Sequence, residues 1–186
     1  MHRSRGLWMA LVAFPCAASA VTIGLYSDLD CSSCNLDLPP GGFRTFYACI
    51  ANDLLPYGPD GAEFRIAGLP SGWTASAMPN PAIPFVFGNP LAGGANVAWS
   101  PGLPLRCILL YSVQIGVPVL GGQARLGVVA HNAPSNPNFD CPNVTMDWVA
   151  YPRVCAGGGQ LLVNSPLRCT VGVETATWSQ IKRLFE

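Results

Sequence analysis

The cysteines are the residues of this sequence best suited to chemistry, and two of them, Cys31 and Cys34, are separated by two serines. A Cys-x-x-Cys pair can supply half of a zinc site or the active site of a thiol oxidoreductase. A zinc site needs four ligands, and the sequence has no second Cys-x-x-Cys and no histidine pair at ligand spacing. An oxidoreductase pair would open a helix after a strand, which this stretch does not predict. We therefore expect Cys31 and Cys34 to form structural disulfides.

After the first 20 residues, which resemble a cleaved leader, seven cysteines remain: Cys31, Cys34, Cys49, Cys107, Cys141, Cys155 and Cys169. In an exported protein such cysteines form disulfides because the compartment is oxidising. An odd number leaves one thiol free or paired with another chain. The expected pairs are Cys155 with Cys169 across a terminal hairpin, Cys49 with Cys107 between strands, and Cys31 or Cys34 with Cys141.

Four oxygen-bearing side chains crowd the loop around Cys31 and Cys34, namely Asp28, Asp30, Asn35 and Asp37. Carboxylate and amide oxygens are the ligands that Ca²⁺ prefers. The loop lacks the Asp-x-Asp-x-Asn-Gly order and the bidentate Glu of a loop that binds calcium alone. Calcium is therefore the only cofactor the sequence suggests, and the alternative is that Asp and Asn simply form turns here.

The sequence gives little support for a catalytic centre. His131 is the only histidine beyond the leader, and it could activate the unpaired cysteine as a Cys–His nucleophile, with Asn132 adjacent. A polar residue at a strand end explains His131 equally well. The sequence contains no nucleophile elbow, no His-Glu-x-x-His and no phosphate-binding glycine loop. We therefore expect no enzymatic activity, with a Cys-dependent enzyme as the alternative.

Large aromatic residues suggest a second kind of site. A row of exposed, coplanar rings could stack against sugars, and the candidates are Trp73, Trp99, Trp148, Tyr57 and Tyr151. Large aromatics in β-sandwiches are also the usual core residues. The sugar-binding hypothesis therefore requires at least two aromatics side by side on an exposed surface.

The first 20 residues have the features of a secretory signal peptide. Arg3 and Arg5 precede a short apolar run, and the small residues Ala18, Ser19 and Ala20 form a cleavage motif. Loss of two arginines leaves eight basic residues against ten acidic ones, a net charge of about −2. No later stretch is apolar enough to span a bilayer, and no basic patch indicates nucleic acid. We expect a secreted or envelope-associated protein.

Strands must position these side chains. Every second residue from 105 to 117 is apolar, which predicts a long strand in the middle of a sheet. Pro84 predicts that its own segment is an edge strand or a short extended piece. The predicted strands are residues 21–28, 44–52, 62–69, 73–78, 83–87, 95–99, 105–117, 125–131, parts of 144–154, 160–164 and 167–173. Their spacing predicts an all-β fold, a two-sheet antiparallel β-sandwich over residues 21–174.

Residues 175–186 form a tail of different character. Thr177 and Gln180 have capping-box spacing, and Trp178, Ile181 and Phe185 fall on one helical face. A short amphipathic helix over residues 177–186 needs a docking surface. It could attach the protein to a surface, act as a sorting element, or cap the sandwich.

Three segments resemble cohesin-like and related immunoglobulin-like sandwiches of secreted bacterial proteins: residues 61–66 (GAEFRI), 96–99 (NVAW) and 109–113 (LLYSV). They cover about a third of the mature chain and imply the sandwich fold. Most of the chain is also loosely similar to uncharacterised exported bacterial proteins with a similar Trp and Lys tail, which implies no known activity.

Composition, cysteines and patterning together predict a non-catalytic, disulfide-linked module with a structural or surface-adhesion role. Its partner would be a protein or a glycan at a surface. The alternative function is a carbohydrate-binding module that uses exposed Trp and Tyr.

Overall fold

A computed structural model of the chain describes residues 21–52, 58–146 and 153–169. These residues form strands and turns, and they include no helix long and apolar enough to cross a membrane. In chain order the strands are β1 Val21–Tyr26, β2 Asn35–Leu36, β3 Phe43–Asn52, β4 Pro59–Ala67, β5 Thr74–Pro79, β6 Phe85–Asn89, β7 Gly94–Ala98, β8 Cys107–Gly116, β9 Ala124–Val129, β10 Asn143–Met146, β11 Arg153–Cys155, β12 Gly157–Gly158 and β13 Gln160–Val163. The predicted leader and the predicted helix at 177–186 lie outside the described residues.

The first sheet has the strand order β12-β1-β3-β8-β5. The long alternating segment is β8, and it lies between β3 and β5 as its apolar pattern predicts. Ser112 of β8 pairs with Tyr47 on one side and with Met78 on the other. A bulge in the β3–β8 ladder falls between Ala48 and Cys49.

The second sheet has the order β11-β10-β4-β9-β13-β2, and β7 pairs with the other edge of β4. The opposite edge of β4 is divided between two strands. β10 pairs with residues 59–63 of β4, and β9 pairs with residues 65–67. Among the described strands β6 pairs with β7 alone, so the edge position predicted from Pro84 is confirmed. Two short pairings, β1 with β12 and β13 with β2, are parallel, which corrects the expectation of a wholly antiparallel fold.

The core lies between the two sheets and follows the period-two pattern except in β8. Phe46 and Ile50 of β3, Phe64 of β4 and Leu110 of β8 are fully buried. Burial of such side chains contributes roughly 1.5–3 kcal/mol each. Alternate residues of β3 face outward, so Cys49 is not part of this core and packs in a second, smaller apolar cluster.

Strand β8 is the exception to this pattern. At the bulge opposite Ala48 and Cys49 the buried side of β8 changes from Ile108 and Leu110 to Tyr111 and Val113. Cys107 and Leu109 therefore lie outside the main core, which corrects the prediction of one apolar side along residues 105–117.

The predicted terminal hairpin is wrong. Gln160–Val163 forms a strand, but it pairs with β9 and β2, and residues 167–169 are not in a strand. The chain turns at Asn164, whose φ is 51°, and its backbone N–H donates to the carbonyl of Leu36. A disulfide then holds Cys169 beside Cys34 at the edge that carries β2. Alternation of apolar residues alone did not reveal this long-range link.

Candidate binding face

Within residues 21–52, 58–146 and 153–169, three disulfides join Cys31 with Cys107, Cys34 with Cys169 and Cys141 with Cys155, with Cα–Cα distances of 5.9, 5.9 and 5.7 Å. The predicted pairs Cys155–Cys169 and Cys49–Cys107 are therefore wrong, as is a link from Cys31 or Cys34 to Cys141. The first failed because the terminal hairpin does not form. The second failed because a loop brings Cys31 to Cys107.

Cys49 is the free cysteine among the described residues, and it is buried. It packs with Tyr26 and Cys31 in the smaller apolar cluster, and Leu109 partly covers the cluster. Burial, reinforced by the nearby Asp28 carboxylate, raises the pKa of the Cys49 thiol to about 12. The thiol is therefore almost entirely protonated at neutral pH.

In the loop predicted to bind calcium, side-chain oxygens of Asp28 and Asn35 accept hydrogen bonds from other groups of the protein. The backbone N–H groups of Asp30 and Ser32 donate to Oδ1 of Asp28 at 3.1 and 2.9 Å, and the Ser32 hydroxyl donates to Oδ2 at 3.0 Å. Oδ1 of Asn35 accepts the backbone N–H of Cys169 at 3.3 Å. Asp28 and Asn35 therefore stabilise the loop and anchor the end of the fold. Calcium binding by these residues and Asp37 stays a prediction.

His131 and the free thiol do not form the pair that a Cys-dependent enzyme would need. Nδ1 of His131 accepts the backbone N–H of Ala133 at 3.0 Å, and its ring lies against Gly94 in the second sheet. The sulfur cluster around Cys49, whose members lie within 4.8 Å of one another, includes no histidine among the described residues. His131 thus orders the chain that follows β9.

Trp99 does not belong to an exposed aromatic platform, because it is only 7% exposed and lies in the core. Trp73 is half-buried, and its ring packs beside Gly122. Tyr57, Trp148 and Tyr151 lie outside the described residues. Trp99 is therefore a core residue and is not available for stacking against a sugar.

Two other aromatic residues occupy an exposed surface instead. Phe85 and Phe87 of β6 are 57% and 68% exposed, and residues two apart on a strand face the same way. Neither residue was among the predicted site residues. The Phe-Val-Phe alternation after Pro84 was a usable signal, but alternation alone cannot tell which side of an edge strand faces the core.

A cleft of about 360 Å³, lined in part by Phe87, lies on the outer side of the second sheet. Its walls come from β4, β6, β7, β10 and β11. We call this surface the β6–β7 face, defined by Phe85, Phe87, Asn96, Ala98, Thr145 and Arg153. It offers aromatic surface beside polar groups, the combination that recognition sites commonly present.

Glu63 forms the buried base of the cleft. Alternation along the predicted strand 62–69 places Phe64 inward and Glu63 outward, and Glu63 does face outward, yet the loop around Ser135 covers it and only 2% of it is exposed. The Ser135 backbone N–H and hydroxyl donate to its carboxylate at 2.7 and 2.8 Å, and Nδ2 of Asn143 donates at 3.3 Å. Nη1 of Arg153 lies 3.6 Å from Oε2.

This network keeps Glu63 ionised. Burial by itself raises the pKa of the Glu63 carboxyl, but the hydrogen bonds from Ser135 and Asn143 and the charge of Arg153 outweigh it and lower the pKa. The negative charge is matched by Arg153, so the base of the cleft contributes little net charge. The network also fixes the loop of residues 133–139 against the sheet.

No protein-family model and no curated protein sequence matches the chain. Among solved structures it is similar to the sixth cohesin of scaffoldin B from Acetivibrio cellulolyticus, crystallised with a Cel5 dockerin mutant. The TM-score is 0.53 at 10% identity, over 78% of this chain and 99% of that one. The third ScaB cohesin of R. flavefaciens, in complex with a group 1 dockerin, gives 0.53 at 13% identity, over 82% and 100%. The chain has a cohesin-like β-sandwich fold.

Proposed function

We propose that this protein is an exported, non-catalytic module that binds a protein partner through the β6–β7 face. The two similar solved structures are cohesins in complex with dockerins, which are protein partners. At this level of identity the likeness concerns the fold, so the choice of surface rests on this chain's own residues. The partner is expected to be a folded protein that covers an aromatic, nearly uncharged patch.

The observation that carries the proposal is the exposure of Phe85 and Phe87. Each ring places more than half of its surface in water. Aromatic side chains of this kind contribute strongly to protein interfaces when a partner covers them. Since Phe87 lines the cleft, a partner side chain could enter the cleft while the partner's apolar surface covers the rings.

Export is part of the proposal. Three disulfides fit an oxidising compartment, because thiols in the cytosol are kept reduced. The leader of residues 1–20 stays a prediction from the sequence. A tail that attaches the protein to a surface through Trp178, Ile181 and Phe185 also stays a prediction.

The test has two steps. First, a photo-reactive phenylalanine analogue at position 87 is used to cross-link the mature protein to the extracellular and envelope fractions of its source organism, and mass spectrometry identifies the product. Second, the purified partner is titrated against variants. Phe85→Ser with Phe87→Ser should raise Kd by about 30-fold or more, as expected for two central interface aromatics.

Phe43 provides the matched control. It is 65% exposed, like Phe87, but it lies on β3 of the first sheet. Phe43→Ser should leave Kd within about twofold of the parent value, because substitutions outside an interface change binding little. Loss of binding in Phe43→Ser, or unchanged binding in the Phe85 and Phe87 variant, would overturn the choice of face.

A carbohydrate ligand is the second candidate function, and one observation favours it. Phe85 and Phe87 are two aromatics side by side on an exposed surface, which is the requirement stated for sugar stacking. A glycan array probed with the mature protein tests this directly. Binding that Phe85→Ser with Phe87→Ser abolishes, and that Phe43→Ser retains, would assign a glycan to this face in place of a protein.

A further inference from the structure

A free thiol lies next to a disulfide on the outer side of the first sheet. The Sγ atoms of Cys31, Cys49 and Cys107 all lie within 4.8 Å of one another, and Cys31 and Cys107 are bonded. Sγ of Cys49 therefore lies no more than 4.8 Å from either sulfur of this disulfide. The feature is independent of the β6–β7 face and of any partner.

We propose that these three sulfurs form a thiol–disulfide exchange site, in which Cys49 displaces Cys31 from Cys107 and the free thiol moves to the loop at Cys31. The Cys49 thiolate attacks Sγ of Cys107, a Cys49–Cys107 bond forms as the Cys31–Cys107 bond breaks, and Cys31 leaves as a thiolate that takes up a proton. The proton lost by Cys49 balances the one gained by Cys31. No oxidant or reductant is consumed.

The backbone around each sulfur determines which cysteine leaves. Cys49 and Cys107 lie on β3 and β8, which are paired neighbours, and Cys107 is opposite Ala51 on the same outward side as Cys49. Cys31 lies in a loop and has a φ of 57°, which is unfavourable for a residue other than glycine. Release of Cys31 lets its backbone return to a favoured conformation. Release of Cys107 would relieve no such backbone strain, because Cys107 does not have a positive φ.

The exchange reaction is slow at neutral pH. In the described part of the chain, the titratable groups packed against the sulfurs include the Asp28 carboxylate and the phenols of Tyr26 and Tyr47, and these three groups supply no positive charge. Since the pKa of Cys49 is raised to about 12, the thiolate that attacks is scarce. The exchange rate should therefore rise about tenfold per pH unit between pH 7 and 10, since the rate depends on the thiolate fraction.

The exchange moves the free thiol from Cys49 to Cys31. In the described pairing the free thiol is buried at Cys49, where reagents and partners do not reach it. After exchange the free thiol is Cys31, which is 7% exposed while it is bonded to Cys107 but lies in a loop next to the exposed Ser32. The loop stays attached to the fold through the bond from Cys34 to Cys169.

The first experiment counts thiols in two matched variants refolded with oxidised and reduced glutathione. In Cys31→Ser, Cys49 and Cys107 should bond, so the folded protein should contain no free thiol and give a Cys49–Cys107 peptide by mass spectrometry. In Cys34→Ser, Cys169 has lost its partner and is not in the sulfur cluster, so two free thiols should remain. Two free thiols in folded Cys31→Ser would overturn the proposal.

The second experiment follows the parent protein at pH 8.5 with iodoacetamide and no reductant. Alkylation should accumulate at Cys31, together with the Cys49–Cys107 peptide, at a rate independent of protein concentration. Alkylation at Cys49 alone, with the Cys31–Cys107 peptide retained, would contradict the exchange. In Cys49→Ala no alkylation should appear at Cys31, and alkylation there would show that the thiol arises by another route.

Discussion

The ring of Tyr111 on β8 meets the ring of Phe64 on β4 edge to face, with 6.0 Å between centroids and 75° between planes. This contact joins the two sheets at the middle of the core. Tyr111 is only 2% exposed, and its hydroxyl has no hydrogen-bond partner within the described part of the chain. Burial raises the pKa of the Tyr111 phenol.

Tyr111→Phe should stabilise the protein. The substitution keeps the contact with Phe64 and removes a buried hydroxyl, whose desolvation costs about 1–3 kcal/mol when it is unpaired. Urea unfolding should show a free energy of unfolding about 1 kcal/mol higher. Tyr111→Leu is the control and should lower it, because the aromatic contact is lost. A loss of stability in Tyr111→Phe would mean that the hydroxyl is hydrogen-bonded.

Glu63→Gln should lower the free energy of unfolding at pH 7 by about 2 kcal/mol, since hydrogen bonds to a charged group are each worth about 1.5–3 kcal/mol. The pKa of Glu63 is lower in the folded state than in the unfolded chain. Its stabilising effect is therefore complete above the unfolded value of 4.5 and is lost as pH falls through the folded value. The exposed Asp37 supplies a control, Asp37→Asn.

Unfolding measured at several pH values between 7 and 3 tests this expectation. The difference between the parent and Glu63→Gln should shrink as the pH falls below 4.5. A difference that stays constant across this range would show that the charge of Glu63 does not stabilise the fold. Asp37→Asn should follow the parent.

Gly94→Ala should be more damaging than Gly72→Ala. Both glycines have positive φ, 128° and 82°, but a Cβ at Gly94 would overlap the His131 ring, whereas a Cβ at Gly72 would have no neighbour within 4 Å. Gly72→Ala should cost about 1 kcal/mol from backbone strain. Gly94→Ala should cost about 3 kcal/mol, because overpacking adds to the strain.

His131→Ala combined with Gly94→Ala provides a double-mutant cycle. Removal of the ring should recover the steric part of the loss and leave the backbone strain. Thermal or urea unfolding of the four proteins gives the coupling energy between the two sites. Additive losses would show that the ring is not what opposes a side chain at position 94.

The disulfides should contribute unequally. Cys34 and Cys169 are 135 residues apart, whereas Cys141 and Cys155 are 14 apart. In the chain-entropy model the long loop is worth about 5 kcal/mol and the short one about 3 kcal/mol. Replacing both cysteines of a pair by serine should therefore lower the free energy of unfolding more for the long loop. The reverse order would show that strain or unfolded-state structure dominates.

Local pattern predicted much of the sheet structure. Alternation placed the strand at residues 105–117 in the middle of a sheet, and it put Phe64 inside and Glu63 outside. Pro84 placed its segment at an edge, and β6 lies there. These features depend on neighbouring residues only, because side chains of a strand alternate by geometry.

The odd number of cysteines was also readable from sequence, and it predicted one unpaired thiol. Which thiol it is was not readable. Cys49 and Cys107 lie on adjacent strands, as the predicted pairing assumed, yet a loop residue 76 positions before Cys107 bonds it instead. The pairing depends on where the loop folds, and no local pattern encodes that position.

The sequence by itself determined most of the longer strands, the all-β class and the supply of thiols, since each follows from composition or from a period of two. The tertiary structure alone decided that Trp99 is buried, that Phe85 and Phe87 are exposed, and which sulfurs meet. The physical reason is that burial and bonding are set by contacts between residues distant along the chain. A strand's pattern shows that it has two sides, and only the packing of the sheets decides which side meets water.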